Sequence, residues 1–516
     1  MRSPAGPAQS VSEALSFWAA STPDAPALLA PEREPATYRD LGDAVARLAS
    51  ELRALGVGRE DGVALLFPDG PDLCLALLAT IAVGIAVPLA WPNPPAAYRR
   101  VLASRRVRAV MISAAIPWAG LDLADLELPV ITLASGATGR LRDVRVEGQP
   151  FGEPTPAGLP RPDDIAQILH SSGTTGRPKL VPRLHRNSAA TCRAIIAARA
   201  LTSADRGLSL SPTAYSQGQI ILMTAVFSGG SLVSVPAPDL SAMPAWLRTY
   251  RPTYVSTTPA VLRALAAAGG TLGEAFRHAA LRCILSSAGP LSSDELSALE
   301  ATLGAPILNT YGMSEASFIA GEPFPALHRV PGSVGLAQCE VRINDEQGAP
   351  LARHQTGEIL IRGPRVFPGY LDDPAANAAA FLPGGWFRTG DLGFLDDAGY
   401  LHLTDRLGEV INRGGEKIVP REVDEVLLGH PAVADAAVFG VADARLGQEI
   451  VAAVVLRPAM AVPPRLLRAW LRARLARFKV PRRIWFVDEL PRTPTGKVQR
   501  TELARRWDEA QGAATR

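Results

Sequence analysis

At 516 residues the chain is too long for one compact core, so two or three domains are expected. With 47% apolar and 20% charged residues it has the composition of an ordinary globular protein, and a net charge of +3 with no concentrated basic block gives nucleic acid no special attraction. Four cysteines, Cys74, Cys192, Cys283 and Cys339, form no C-x-x-C pair, which argues against a zinc site or a disulfide framework and fits a reducing cytosol.

Residues 1–10 lack a basic segment followed by an apolar run, so no signal peptide is expected and the protein reads as cytoplasmic. Residues 41–55 read as an amphipathic helix and 62–67 as a buried strand. The stretch 73–91 carries no charge and is long enough to cross a bilayer. Gly84 and Pro88 divide it, however, into a helix-like half, 73–83, and a strand-like half, 85–89. A buried helix feeding a buried strand is therefore the expectation, with no membrane span. A helix over 97–104 and a strand over 107–113 continue the alternation, which points to an α/β architecture with parallel-rich sheets. Residues 148–164 are rich in Pro and Gly and read as a loop between subdomains; 165–169 reads as a strand.

The pattern changes near residue 405. A helix over 420–428, strands over 434–441 and 450–456, a basic amphipathic helix over 464–478 and a last strand over 484–487 follow, with 511–516 frayed. The expected division is a large N-terminal domain, 1–405, built from α/β subdomains, and a small α+β C-terminal domain, 406–516. The charged face of 465–479 reads as solvated helix surface.

Chemistry concentrates in His170-Ser171-Ser172-Gly173-Thr174-Thr175-Gly176-Arg177-Pro178-Lys179, on the loop after the 165–169 strand. Glycines let backbone N–H groups approach anionic oxygens, four hydroxyls donate hydrogen bonds, and Lys179 adds charge. This is not the common P-loop: Pro178 precedes the lysine and Leu180-Val181-Pro182 follows, so no helix starts there. The Gly-Thr-Thr-Gly core alone would read as a polar turn. The full run resembles the phosphate loop of the acyl-adenylate-forming superfamily, which includes acyl- and aryl-CoA ligases, amino-acid-activating domains and luciferases.

Further segments resemble that family in the same order, over about 15–505. Asn309-Thr310-Tyr311-Gly312-Met313-Ser314-Glu315 looks like its Tyr-Gly-Met-Thr-Glu segment, with Ser314 in place of threonine. The resemblance implies that Tyr311 stacks on adenine and that Glu315, with Thr174, holds Mg²⁺. Read alone, the same segment would be a strand end before a helix capped by Ser314. Ser287, Ala288 and Gly289 are assigned to the nucleotide in the same way. Trp386-Phe387-Arg388-Thr389-Gly390-Asp391 resembles the ribose-binding turn, with Asp391 accepting from the ribose hydroxyls, and Arg406 would contact ribose or phosphate. Asn412-Arg413-Gly414-Gly415-Glu416-Lys417-Ile418 is similar to the loop that lines the pantetheine tunnel in CoA ligases, and Pro491-Arg492-Thr493-Pro494-Thr495-Gly496-Lys497 to the mobile catalytic-lysine motif. The catalytic residues so implied are Lys497, Glu315, Thr174 and Arg406.

The resemblance implies two steps at one site: a carboxylate attacks the α-phosphorus of ATP, expelling pyrophosphate, and a thiol then displaces AMP. The small domain would rotate between them, Lys497 serving the first and Gly414–Gly415 the second. The family's hinge position, usually Asp or Lys, falls on Gly408, which supplies dihedral freedom but no side chain.

Ser211-Pro212-Thr213-Ala214-Tyr215-Ser216-Gln217-Gly218 aligns with the substrate-gating stretch. Many CoA ligases have histidine where Tyr215 falls, and amino-acid-activating domains an aspartate where Ser216 falls; its absence excludes an α-amino acid. Tyr215, Ser216, Gln217, Ser286, Gly312 and Met313 are the expected acid pocket, and the apolar run 219–227 favours an aromatic or aliphatic acid. The implied partners are ATP, Mg²⁺ and CoA in an acid–thiol ligase, monomeric or homodimeric. The alternatives are a stand-alone enzyme loading a separate carrier protein's phosphopantetheine, and a non-catalytic nucleotide-binding protein.

Overall fold

A computed structural model describes residues 8–514 apart from 91–97, 99–100, 105, 115–127, 135–139, 153–157, 172–178, 290, 292, 326–328, 444 and 494–495. Helix Tyr38–Leu55 starts at a capping box, in which the Thr37 hydroxyl accepts from the Asp40 N–H and the Asp40 carboxylate accepts from the Thr37 N–H. Leu41, Ala44, Val45, Leu48 and Leu52 recur at helical spacing and form its buried stripe. Helix Pro71–Ile81 is instead buried on every side from Leu73 onward, and it feeds strand Ile85–Leu89, buried at all five positions. The uncharged stretch 73–91 is thus a core helix and a core strand as far as the described residues run. No helix among them is long and apolar enough to cross a membrane.

Two parallel-rich sheets dominate residues 26–337. In the first, Gly62–Leu66 lies between and parallel to Ile85–Leu89 and Val107–Ser113, and Ile85–Leu89 is followed by Ile165–Ser171. The edge strand Lys179–Leu184 runs antiparallel to Ile165–Ser171, with Ser171 opposite Lys179. The expected strand therefore extends two residues further than its apolar run, and the Ser/Thr/Gly segment joins two strands rather than a strand and a helix. In the second sheet, Ser231–Ser234, Arg206–Ser209, Tyr254–Thr257, Cys283–Ser286 and Ile307–Met313 are parallel neighbours. A third, antiparallel sheet holds Glu340–Asn344, Gly357–Arg362, Trp386–Leu395 and Leu401–Arg406.

The remaining chain forms its own α+β unit. Val433–Asp443 and Gly447–Leu456 make a long antiparallel ladder, with Arg483–Phe486 parallel to the latter. Helices Pro420–Leu428 and Pro464–Arg472 cover one face through Val423, Leu427, Leu467 and Leu471. Helix Arg500–Ala514 covers the other through Leu503, beside Phe439 and Leu490.

Two expectations are corrected here. The helix expected over 464–478 ends at Arg472, because the chain must turn to lay Leu475, Phe478 and Val480 against the same core, and Pro481 forbids continuation. Residues 511–514, expected to fray, are helical; the turn before them is anchored by Leu503 and by Trp507, whose ring meets Trp485 at 5.7 Å.

Candidate functional site

Several of the residues singled out in the sequence lie at the carboxyl ends of the parallel strands and where the other sheets meet them, the usual place for a ligand in an open α/β sheet. Strand Ile307–Met313 brings Tyr311 to this point, 8% exposed, and its hydroxyl donates to Asp391 Oδ2 at 2.6 Å. Asp391 comes from strand Trp386–Leu395 and pairs in register with Arg406, whose Nε donates to the other carboxylate oxygen at 2.8 Å. Thr389 fixes the turn, donating its hydroxyl to the Ile359 carbonyl and accepting from the Asp391 N–H at 3.1 Å. Burial, then the Asp391 charge, pushes the Tyr311 phenol well above its ordinary value. The Arg406 guanidinium, although desolvated, is held above its usual range by Asp391.

Glu315 sits in the turn after Tyr311, 5% exposed. No helix begins there, so Ser314 caps none; strand Ala316–Gly321 folds straight back on Ile307–Met313. The reversal brings backbone against backbone, and a Cβ on Gly312 would lie 2.2 Å from the Ser317 carbonyl oxygen. The Glu315 carboxylate accepts from the Tyr370 hydroxyl at 3.0 Å, and Lys179 Nζ lies 4.5 Å from the centre of the Tyr370 ring. Burial raises the Glu315 carboxyl above its ordinary value, and Tyr370, Arg406 and Lys179 work against the rise. Arg183, 2% exposed, donates to the Glu315 and Arg365 carbonyls and ties this turn to the first sheet.

Lys497 reaches the same cluster from the far end of the chain. Its Nζ lies 3.6 Å from Glu409 Oε1. Desolvation, then Arg406, pushes the ammonium below the ordinary lysine value, while Glu409 and Asp391 act the other way. The preceding Gly496 rests on Ala260, at the start of helix Pro259–Ala268; a Cβ there would lie 3.1 Å from the Ala260 Cβ. Gly496 thus lies against the start of the helix that follows strand Tyr254–Thr257.

Beside it, Thr257 pairs with Ser286, and Ser286 with Asn309, across three adjacent strands. The hydroxyls of Ser211, Thr257, Ser286 and Ser287 are all buried and have no hydrogen-bond partner, which marks a place built for a polar guest. Ala288 adopts a φ of 69°, rare for a residue with a Cβ, and Gly289 packs against Pro259. Arg199 donates to Thr310 Oγ1 at 2.9 Å and to the Asn309 carbonyl. Tyr215 precedes helix Ser216–Ser228, its phenol pushed up to about 12 by burial, and Gln217 donates to Ser256 Oγ at 3.2 Å. Met313 packs, partly buried, against the core that contains Tyr311.

One group of expected residues lies outside the described residues, and another is not joined to the cluster. Ser172, Gly173, Thr174, Thr175 and Gly176 fall outside the described residues, as does the side chain of Ser171; the flanking strands deliver only the loop's two ends. Gly414 and Gly415, at φ 62° and 93°, turn the hairpin Ile411–Arg413/Glu416–Ile418, whose hydrogen bonds go to Leu446 and Asn412. Lys417 pairs with Glu346. Tyr370, Glu409 and Asp69 were given no role by sequence reading, since a lone residue of each kind carries no local signal.

The fold and this cluster define a two-domain enzyme class in which a small α+β unit brings a lysine beside the Asp391–Arg406 pair of a large α/β body. The chain belongs to the AMP-binding enzyme family, and so to the acyl-adenylate-forming superfamily: the family's main model matches residues 15–371 and its C-terminal domain model residues 422–497. The chain is 34% identical to an oxalate–CoA ligase of Arabidopsis thaliana, over 94% of its own length and 96% of that protein. It is 35% identical to a sulfoacetate–CoA ligase of Cupriavidus necator, over 94% and 95%. Among solved structures, ATP-bound MatB from Rhodopseudomonas palustris superposes with a TM-score of 0.86 at 26% identity, covering 96% of this chain and 99% of that one.

Proposed function

We propose that the protein activates a carboxylic acid with ATP, through an acyl-adenylate, and transfers the acyl group to CoA with release of AMP and pyrophosphate. The observation that carries this reading is that Lys497, 3.6 Å from Glu409, feels the charges of Arg406 and Asp391, the pair that holds the Tyr311 hydroxyl. The homologous CoA ligases support thioester formation with CoA.

The roles follow from charge and position. Asp391, with one oxygen on Tyr311 and one on Arg406, retains lone pairs for two ribose hydroxyls. The Tyr311 ring supplies a face for adenine. Lys497 offsets negative charge as carboxylate and α-phosphate meet, and Arg406 lies close enough to share that task.

Among the described residues no group of three His, Cys, Asp or Glu could hold a metal. Glu315 alone offers one buried carboxylate, which fits a magnesium carried in by the triphosphate with its remaining ligands supplied by phosphate and water. When bound, the ion neutralises phosphate charge; Glu315 would hold it, with Thr174 the sequence's other candidate. The loop 172–178 would cradle the phosphates from the hairpin ends at Ser171 and Lys179, and Gly414–Gly415 would serve the thiol step after the small domain turns about Gly408. Tyr215, Ser216, Gln217, Ser286 and Met313 would bound the acid. We place the domain division at 405/406.

Oxalate and sulfoacetate, named in the relatives, are doubly charged acids; at 34–35% identity neither transfers to this chain. Acid-dependent exchange of pyrophosphate into ATP, followed by CoA-dependent release of AMP, is the test. Exchange is expected with some acid of a broad panel, and its absence with all of them would leave only a nucleotide-binding role. Thioester formation on a carrier protein but not on CoA would instead favour the carrier-loading alternative.

A further inference from the structure

We infer that the pocket beside Ser286 selects carboxylic acids bearing a single negative charge, and turns away dicarboxylates and sulfonated acids. The inference rests on the ligase reading above and concerns the far end of the same pocket.

The residues proposed to bound the acid lie in segments 211–217, 256–258, 284–289 and 309–313, and none of these contains Lys, Arg or His. What they offer is neutral: the unpartnered hydroxyls of Ser211, Thr257, Ser286 and Ser287, and the Gln217 amide. Hydroxyls and amides suit a substituent such as a phenol, a carbonyl or an ether. They do not repay the desolvation of a second full anion, which is costly unless a cation meets it.

Among the described residues, the ionised groups fastened to 309–310 are of opposite sign, Arg199 donating to Thr310 Oγ1 and Glu322 accepting the Asn309 N–H at 2.8 Å. At 211–217 the ionised group is Asp69, which has the wrong sign for a diacid. Asp69 follows strand Gly62–Leu66, and its Oδ1 accepts the Thr213 N–H at 2.6 Å, two residues before Tyr215. No cation contacts it among the described residues. Its half-buried carboxyl is lifted to about 6, chiefly by desolvation, so it is charged at neutral pH, and its field reaches the Tyr215 phenol. A second anion lodged against 213–217 would feel that charge at low dielectric with nothing to balance it. Lys497 and Arg406 stand at the nucleotide end, where they would meet the carboxylate that reacts, and Arg199, behind 309–310, is opposed by the Glu322 charge. The site is thus polarised: positive where the bond forms, neutral to negative where the rest of the acid lies.

The experiment presents the purified protein with ATP, magnesium and an equimolar mixture of matched acids, and identifies the adenylates by mass spectrometry. The pairs are benzoate and terephthalate, butyrate and succinate, propionate and sulfopropionate. The expected products are adenylates of the monoacids, each favoured at least 100-fold over its doubly charged partner. Adenylation of any diacid or sulfonated acid as well as its monoacid partner would overturn the inference and leave the ligase reading intact. No adenylate from any acid would overturn both. Asp69→Asn and Gln217→Lys give a second measure: removing the negative charge, or adding a positive one, should each narrow the ratio by tenfold or more. An unchanged ratio in both folded variants would assign the selectivity to shape and also overturn the inference.

Discussion

Glu409 Oε1 lies 3.6 Å from Lys497 Nζ, and its other oxygen accepts from Arg500 Nε at 2.9 Å. Burial works against the Glu409 charge, but Lys497 and Arg500 outweigh it and hold the carboxyl below its usual range. All three residues lie on the C-terminal side of Gly408, so the contact would travel with the lysine through any rotation about that glycine. Glu409 is a positioning residue: it keeps the ammonium aimed and charged. The lysine must be protonated to offset phosphate charge, so activity is lost as pH rises through its pKa, which Glu409 raises. Glu409→Gln should move the alkaline limb of the exchange-rate profile to lower pH, with kcat falling more than the KM for ATP. An unmoved limb would make Glu409 a structural partner of Arg500 alone.

Lys497→Ala removes the charge from the first half-reaction only. Loss of one preorganised stabilising group at a developing charge typically costs about 100- to 1000-fold in rate. Acid-dependent exchange should fall by that amount, whereas release of AMP from supplied acyl-adenylate and CoA should change by less than about threefold. Equal losses in both steps would place the lysine in the thiol step as well.

Asp391 divides its two oxygens between Tyr311 and Arg406. Asp391→Asn keeps the shape but presents an amide where Arg406 and the phenol both need an acceptor. Charge-assisted bonds of this kind contribute about 1.5–3 kcal/mol, so the KM for ATP should rise roughly 10- to 100-fold. Tyr311→Phe deletes a neutral donor and keeps the ring, and should cost about tenfold or less. Titration of the inactive Lys497→Ala protein with ATP by calorimetry separates binding from turnover. The ranking Asp391→Asn worse than Tyr311→Phe is the outcome that matters.

How much of this was legible in the chain depends on whether the determining contacts are local. Strand Ile85–Leu89 and helix Pro420–Leu428 were read to the residue because Gly84 and Pro420 punctuate them and their apolar periods are complete. The end of helix Pro464–Arg472 was not, since Leu475 and Phe478 continue the periodicity while tertiary packing turns the chain. Helix Arg500–Ala514 went unread because, within it, only Leu503 packs as a fully buried residue. At the candidate site, Tyr311, Asp391 and Lys497 were singled out through motifs, each a short run with an unusual composition. Tyr370 on Glu315, Asp69 on Thr213 and Glu409 on Lys497 join residues that are 55, 144 and 88 positions apart, and no local pattern encodes such a meeting.

His185, 2% exposed at the start of helix His185–Arg199, has an Nε2 without a partner, and burial lowers its pKa from 6.5 to about 4. The sign follows from linkage: the fold favours the neutral ring, so stability is complete above 6.5 and is lost as pH falls toward 4. A shift of this size corresponds to about 3 kcal/mol. Asp69 and Asp424, both lifted to about 6, act oppositely over part of that window, so the wild-type curve alone is a poor readout. The difference between wild type and His185→Gln is the clean one. In urea titrations it should shift by about 3 kcal/mol in the variant's favour between neutral pH and about pH 4. A difference independent of pH would mean that the ring is charged in the native state.

Gly408 stands between Leu407 and Glu409, outside the left-handed region, and a Cβ there would meet nothing within 4 Å. Neither strain nor crowding therefore requires glycine in the arrangement described, in which Lys497 is engaged. If the position matters, it matters for reaching another arrangement. Gly408→Ala should leave acid-dependent exchange unchanged and, by restricting the unfolded chain, stabilise the protein by about 0.5 kcal/mol. The same restriction falls on any rotation that brings Gly414–Gly415 toward the thiol, so CoA-dependent release of AMP should slow severalfold in single-turnover experiments. Slowing of the second step with an intact first step assigns residue 408 to the hinge. An alanine variant indistinguishable from wild type in both steps would move the hinge elsewhere along 405–410.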